Sequence, residues 1–363
     1  MFKWSWRFRI MSDIKINNIT DRSGSSGPVF AGISTVSTDG FMVMPSGPTE
    51  FRGGRGRGIF AGGNVSPGSP RSSNIEFITV ASAGNTQDFG DLSEQKNRGA
   101  SCASSTRGIF ANGINEPGST TLTQQIEFIT ISATGSAFDF GDMTGIKGID
   151  SGNDFKRFGI TGFSNNTRGL FAGGYTGGSY ISNAIDFVTI STKGNSSLFG
   201  NLTAERRDLT SLASPTRGVI AGGYRPSSLP QNVMDFVTIS TSGDAIDFGD
   251  LTVEVHIAMP ASSATRGLIA GGYNFTDTIG FITIATAGNA SDFGNLSQSR
   301  GAGNGTSNSI RGVFAGGLSP TYRDTIDFVT ISSTGNATDF GNLASARAYL
   351  FNGQCADAHG GLG

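Results

Sequence analysis

Arg57-Gly58-Ile59-Phe60-Ala61-Gly62-Gly63 decides the fold, because it returns with small changes beginning at Arg107, Arg168, Arg217, Arg266 and Arg311. The intervals run from 45 to 61 residues. Each copy leads into a second block, Ile75-Glu76-Phe77-Ile78-Thr79-Val80 in the first and Ile326-Asp327-Phe328-Val329-Thr330-Ile331 in the last. A third block follows, Asp88-Phe89-Gly90-Asp91-Leu92 in the first and Asp339-Phe340-Gly341-Asn342-Leu343 in the last. Self-similarity at such a period marks a repeat architecture.

Between the second and third blocks stands a Gly, usually followed by Asn or Asp: Gly84-Asn85, Gly135-Ser136, Gly194-Asn195, Gly243-Asp244, Gly288-Asn289 and Gly335-Asn336. These residues accept positive φ and predict a tight hairpin, with the flanking blocks as antiparallel neighbours. From the third block to the next repeat arginine the distance is 15 residues in four of five cases, as from Leu92 to Arg107, which leaves room for a fourth strand. Four strands with their turns fill a unit of about 50 residues, the scale of a propeller blade. The strands are apolar on both faces: Ile185, Phe187 and Thr189 point one way, Val188 and Ile190 the other. Sheets covered on both sides require that pattern.

The expected fold is therefore all-β, a six-bladed β-propeller of four-stranded blades over residues 51–363, with an N-terminal extended attachment arm over residues 1–50. Phe77, Phe128, Phe187, Phe236, Phe281 and Phe328 are the expected blade core. Replacing Phe187 or Phe236 by Ala should then cost about 3–5 kcal/mol.

Composition agrees. Gly (55) and Phe (27) far outnumber Met (7) and Trp (2), and the Phe-bearing segments are rich in Ile, Val and Thr, which suit packed strands. A charged fraction of 15% and a net charge of −2 offer no electrostatic footprint for nucleic acid. No run of 18 apolar residues predicts a membrane-spanning helix, and no signal peptide is expected. Cys102 and Cys355 are too few for a disulfide framework and lack metal-ligand spacing, so reduced thiols are expected, with one bridge as the alternative.

Gly218-Val219-Ile220-Ala221-Gly222-Gly223-Tyr224 and its relatives at 169–175 and 267–273, an apolar strand ending in a Gly pair and a Tyr, resemble the kelch signature. The downstream kelch Trp is missing, and the Phe of the Asp-Phe-Gly block takes its place. The Gly-, Ser-, Thr- and Asn-rich linkers, the near-identical units and an arm containing Ile14-Lys15-Ile16-Asn17-Asn18-Ile19 also resemble kelch-like repeat proteins of marine bacteriophages, notably cyanophages. That resemblance implies a virion structural protein in a tail, fibre, neck or capsid position. Its arm would attach to other virion proteins, and its propeller would meet a host-surface glycan or protein, as a homo-oligomer in the particle. The alternative reading is a soluble carbohydrate-binding, lectin-like propeller, and the third a propeller hydrolase or lyase.

A propeller must join its first and last blades, since an open sheet edge invites aggregation. Residues 344–358 have the length of one linking strand without a following blade, so this segment, around Tyr349-Leu350-Phe351, is expected to complete blade one; the competing reading pairs it with the region from Val29 to Met44. Phe2, Trp4, Trp6 and Phe8 alternate with Lys3, Ser5, Arg7 and Arg9, which reads as a docking strand with one apolar face, unless translation starts at Met11.

No catalytic constellation stands out. Only His256 and His359 are present, and neither has cysteine or carboxylate neighbours at ligand spacing. The repeated Asp-Phe-Gly lacks the other kinase elements and reads as strand and turn. No catalytic residue, cofactor or metal is expected. Arg57, Arg107, Arg168, Arg217, Arg266 and Arg311 face Glu76, Glu127, Asp186, Asp235 or Asp327 in five repeats and are expected to pair with them or with backbone carbonyls. The fifth repeat has Arg266 but Gly280 in the acid position, so backbone must satisfy Arg266 if it is buried. The segments after the Gly pairs vary most, as recognition loops on a fixed scaffold do. In them Tyr175, Tyr224 and Tyr273 are expected to pack on the Gly pairs, while Tyr180, Arg225, Phe275, Tyr322 and Arg323 are candidates for a binding surface. The insertion from Thr144 to Phe163 is a second variable site.

Overall fold

The computed structural model describes residues 36–38, 41–43, 56–68, 70–115, 121–144, 156–176, 180–225 and 228–362. The chain divides into two units, Met1–Glu50 and Phe51–Gly363. Within the first, Val36–Thr38 pairs antiparallel with Phe41–Val43; Phe2, Trp4, Trp6 and Phe8 lie outside the described residues.

The second unit is a six-bladed β-propeller of antiparallel, four-stranded blades. Blade two shows the plan: inner strand Ala100–Ala103, second strand Arg107–Ala111, third strand Gln125–Thr130 and outer strand Phe138–Asp142. The repeat arginine opens the second strand, the Ile-Glu-Phe block forms the third and the Asp-Phe-Gly block the outer one. Blade one takes its inner strand from the other end of the chain. Ile59 N donates to Cys355 O at 2.8 Å, Phe351 N donates to Ala61 O at 3.2 Å, and Gly58 bridges Ala356 antiparallel. The clasp is thus centred a few residues beyond Tyr349-Leu350-Phe351, and its partner is the second strand of blade one.

Each Asp-Phe-Gly block is a β-bulge. In blade two Ile126 pairs with Gly141 and Glu127 with Asp139, leaving Phe140 as the extra residue, and the same slip occurs at Phe89, Phe199, Phe248, Phe293 and Phe340. A bulge re-aims a side chain, and here it turns the ring inward: Phe140 and Phe248 are each 2% exposed. The glycine after it is required by the next blade. A Cβ on Gly141 would lie 2.5 Å from Gly194 O, and Gly141 has φ +149°.

The Gly-Asn segments are not the tight turns expected of them. In blade one the turn closes earlier, with Ser82 N donating to Thr79 O, and Gly84 at φ 159° is extended, its amide donating to Phe340 O of blade six at 2.7 Å. Gly135 N to Phe89 O, Gly194 N to Phe140 O, Gly288 N to Phe248 O and Gly335 N to Phe293 O repeat this blade-to-blade bond.

The core lies between blades. One cluster joins Ile59, Ile75 and Phe89 of blade one to Phe110, Ile129 and Ile131 of blade two; another joins Val313, Ile326 and Phe340 of blade six to Phe60, Ile78 and Val80 of blade one. Of the six phenylalanines expected there, Phe77 is buried at 8% exposure and Phe128, Phe187, Phe236, Phe281 and Phe328 are half-buried. Each lies edge-on to its bulge phenylalanine at about 6 Å. The bulge rings take the deeper position, while the third-strand rings lie against the repeat arginines.

Candidate functional site

The blade plan divides the surface into two faces. The turns that open each second strand and the outer hairpins lie on one, the hairpin face. The variable loops after the Gly pairs and the linkers to the next inner strand lie on the other, the loop face.

On the hairpin face the repeat arginines are structural. Arg57 Nη1 donates to Ile131 O at 2.8 Å, Arg107 Nη1 to Ile190 O at 3.0 Å, Arg217 Nη1 to Ala285 O at 2.9 Å and Arg311 Nη1 to Ala81 O at 2.8 Å. Arg168 reaches Ile239 O at 3.3 Å, and Arg266 reaches Ile331 O at 2.9 Å, so backbone does satisfy the fifth repeat. Every one of these bonds crosses to the next blade. Each guanidinium also lies 4.4 to 4.9 Å from the ring of its own blade's third-strand phenylalanine, a cation–π contact.

The repeat acids pair with a different set of cations. Lys96 holds Glu127 at 2.7 Å and Arg300 holds Asp327 at 3.0 Å, while Arg157 holds Asp186, Arg206 holds Asp235 and Arg347 holds Glu76. All ten partners are buried. Each cation comes from the strand or linker preceding the acid's blade. At the fifth blade Val255 and Gly280 occupy the two positions, so cation and acid are absent together. Burial pushes the guanidinium pKa of Arg206 and Arg300 down and the neighbouring carboxylate opposes the shift; a buried charge is tolerated only with such a partner.

The axis is filled by the chain itself. Ser101 N and Gly162 N donate to Asn352 O, and Asn352 Nδ2 reaches Leu209 O at 2.8 Å. Gly353 O accepts from Ser101 Oγ and Asn304 Nδ2, and Gln354 Oε1 accepts from Ser262 N and Ser307 Oγ. These contacts reach the inner strands of blades two to six. Nearer the hairpin face, His359 is wholly buried: its Nδ1 accepts from Gly361 N at 3.0 Å and its Nε2 lies 2.9 Å from Ala103 O. Those partners fix the neutral imidazole with its proton on Nε2. Burial lowers its pKa to about 4. Cys102 and Cys355 are buried free thiols whose pKa burial raises.

On the loop face the axis closes in a ring of backbone. Arg98, Gly159, Asp208, Ile257, Ala302 and Tyr349, one from each linker, all have φ between 48° and 64°. The amide of each donates to the carbonyl of the preceding one at 2.6 to 3.0 Å, ending with Arg98 N to Tyr349 O. A cavity of about 20 Å³, lined by these residues and Asn352, remains on the axis, room for about one water molecule.

Around this ring the residue before each ring position pairs with the residue after the next Gly pair. Three pairs are aromatic or cationic: Phe158 with Tyr175, Arg207 with Tyr224, and His256 with Tyr273. They run on as one arc. Tyr175 packs against Phe158 at 5.2 Å with the rings tilted, Arg207 lies 5.7 Å from Tyr175 and 4.6 Å from Tyr224, and His256 is 5.7 Å from Tyr224 and 4.8 Å from Tyr273. Phe275 extends it, 5.4 Å from Tyr273. On the other side Arg98 lies 4.2 Å from Tyr349, whose ring packs with Tyr322 on Ile257 and Ala302. Burial and the neighbouring Arg207 and Arg98 lower the pKa of His256, opposed by Asp208.

Tyr175 and Tyr224 are half-buried, and Tyr273 is 45% exposed. Tyr180 is 52% exposed and stands apart from the arc; Arg225, Phe275, Tyr322 and Arg323 are half-buried, Arg323 Nη2 donating to Ser319 O at 2.6 Å. Sequence reasoning missed Phe158, Arg207, His256, Arg98, Asp208 and Tyr349. Their signal was present: Phe158, Arg207 and His256 precede their repeat arginines by the same interval. In the insertion, residues 145–155 lie outside the described residues.

Among the described residues no group of three His, Cys, Asp or Glu could hold a metal ion, and no helix is long and apolar enough to cross a membrane. Fold and site define the class: a closed six-bladed β-propeller with a filled axis and a variable loop face. No protein-family model and no curated protein matches the chain.

Proposed function

We propose that this protein is a non-enzymatic binding protein that recognises its target with the loop face. The observation behind this reading is the contrast between the two faces. Blade strands and hairpin-face arginines are near-copies with the same structural bonds, while the loops around the axial mouth differ in length and content and carry the aromatic arc. The axis, the other place where a ring of inner strands could take a ligand, is occupied by Asn352, Gly353 and Gln354. On the resemblance of the repeats to kelch-like propellers of marine phages, the narrower reading is a virion structural protein, attached through residues 1–50 and displaying the propeller for assembly or host-surface contact. This rests on analogy of sequence texture. Mass spectrometry of purified particles tests it: the narrower reading expects the chain at stoichiometric copy number inside the particle fraction, and recovery only in the particle-free lysate overturns it.

A further inference from the structure

From the arc and the groups at its centre we infer that the loop-face mouth over blades three to five is a sugar-binding site. The inference rests on the loop face being the recognition surface. Two independent features carry it. The first is the arc of half-exposed rings, Tyr175, Tyr224 and Tyr273, interleaved with Arg207 and His256. Aromatic faces meet the weakly apolar C–H face of a pyranose, and fixed ionic groups beside them direct its hydroxyls.

The second feature is Asp208. Its side chain is 4% exposed and sits over Gly159 at the axial cavity. Oδ2 is held by Arg207, but Oδ1 accepts no hydrogen bond from the protein and lies 3.8 Å from Arg98 Nη1. A buried carboxylate oxygen without a donor is costly. A water in the axial cavity supplies that donor and passes it to a ligand hydroxyl at the mouth, while Arg98 and Arg207, each about a quarter exposed, donate to the ligand's oxygens. A protein partner would need a patch of about 800 Å² per side, whereas the arc suits one or two sugar rings.

A saccharide array probed with the full chain tests this, comparing neutral sugars with carboxylate-bearing ones. Expected is binding to at least one sugar class that falls at least tenfold in Tyr224→Ala and in Asp208→Asn, with Phe138→Ser on the outer strand as a control that binds normally. Equal melting of the variants and the parent shows that folding is intact. Sugar binding that survives both arc variants but is lost in Tyr180→Ala overturns the site and leaves loop-face recognition standing. Cell binding that requires the loop face but no sugar overturns the ligand class alone. No binding by any route contradicts both readings.

Discussion

Two residues show how position in the blade, more than residue type, sets energetic weight. Phe236 and Phe248 belong to the same blade and touch, yet Phe248 is the bulge ring at 2% exposure while Phe236 is half-buried beneath Arg217. Phe248→Ala should therefore cost about 3–5 kcal/mol, and Phe236→Ala less, roughly 2 kcal/mol; equal or reversed losses in denaturant titration would contradict the placement. His359 contributes to the pH dependence. Its two nitrogens meet an amide donor and a carbonyl acceptor, so only the neutral ring fits, and its pKa is lowered to about 4 from 6.5. Because the folded-state value lies below the unfolded one, the contribution is fully present above about pH 6.5 and is lost as pH falls toward 4. The loss reaches about 3 kcal/mol. Stability measured against pH should fall less steeply in His359→Asn than in the parent, and parallel curves would refute the assignment.

At the scale of elements, the blades are joined by devices that each tie one sheet to the next: a buried ion pair, an arginine-to-carbonyl bond and a glycine-to-carbonyl bond. Blade five lacks the first, with Val255 and Gly280 in place of cation and acid. A Cβ at Gly280 would meet nothing closer than Ser291 O at 3.8 Å, so an acid fits there sterically. Gly280→Asp alone should destabilise by about 3 kcal/mol or more as an unpaired buried charge. Adding Val255→Arg should recover at least about 1.5 kcal/mol as coupling in a double-mutant cycle; zero coupling would show the two positions to be independent. The repeat period, the strand count and the Phe-rich sheets were legible in the sequence because strand length and turn residues are local signals. The ion pairs were not, because Lys96, Arg157, Arg206, Arg300 and Arg347 lie outside the conspicuous motifs, whose own arginines proved to hold backbone. The bulge was also hidden, since Asp-Phe-Gly reads equally well as a strand end and only the paired register reveals the extra residue. The loop-face tyrosines were found, but their cationic and aromatic partners come from linkers that pairing brings alongside.

For the whole molecule, closure is the central claim: residues 350–362 both complete blade one and fill the axis, so the two ends of the propeller chain and all six inner strands depend on one segment. Its hydrogen bonds are specific, from Ile59 N to Cys355 O, from Phe351 N to Ala61 O and from Ser101 N to Asn352 O. Without this segment the inner edge of blade one and the axial ends of the others lose their partners, and buried backbone groups left unpaired are costly. Cooperative unfolding of the ring as one unit follows. Amide hydrogen exchange of the full chain, set beside a chain ending at Tyr349, measures this most directly. The account predicts that Ile59, Ser101 and Asn352 exchange as slowly as the blade cores in the full chain, and that truncation removes protection from blade one and lowers it around the ring. Rapid exchange of residues 350–362 in the intact protein, with protected blades unaffected by their removal, would contradict it.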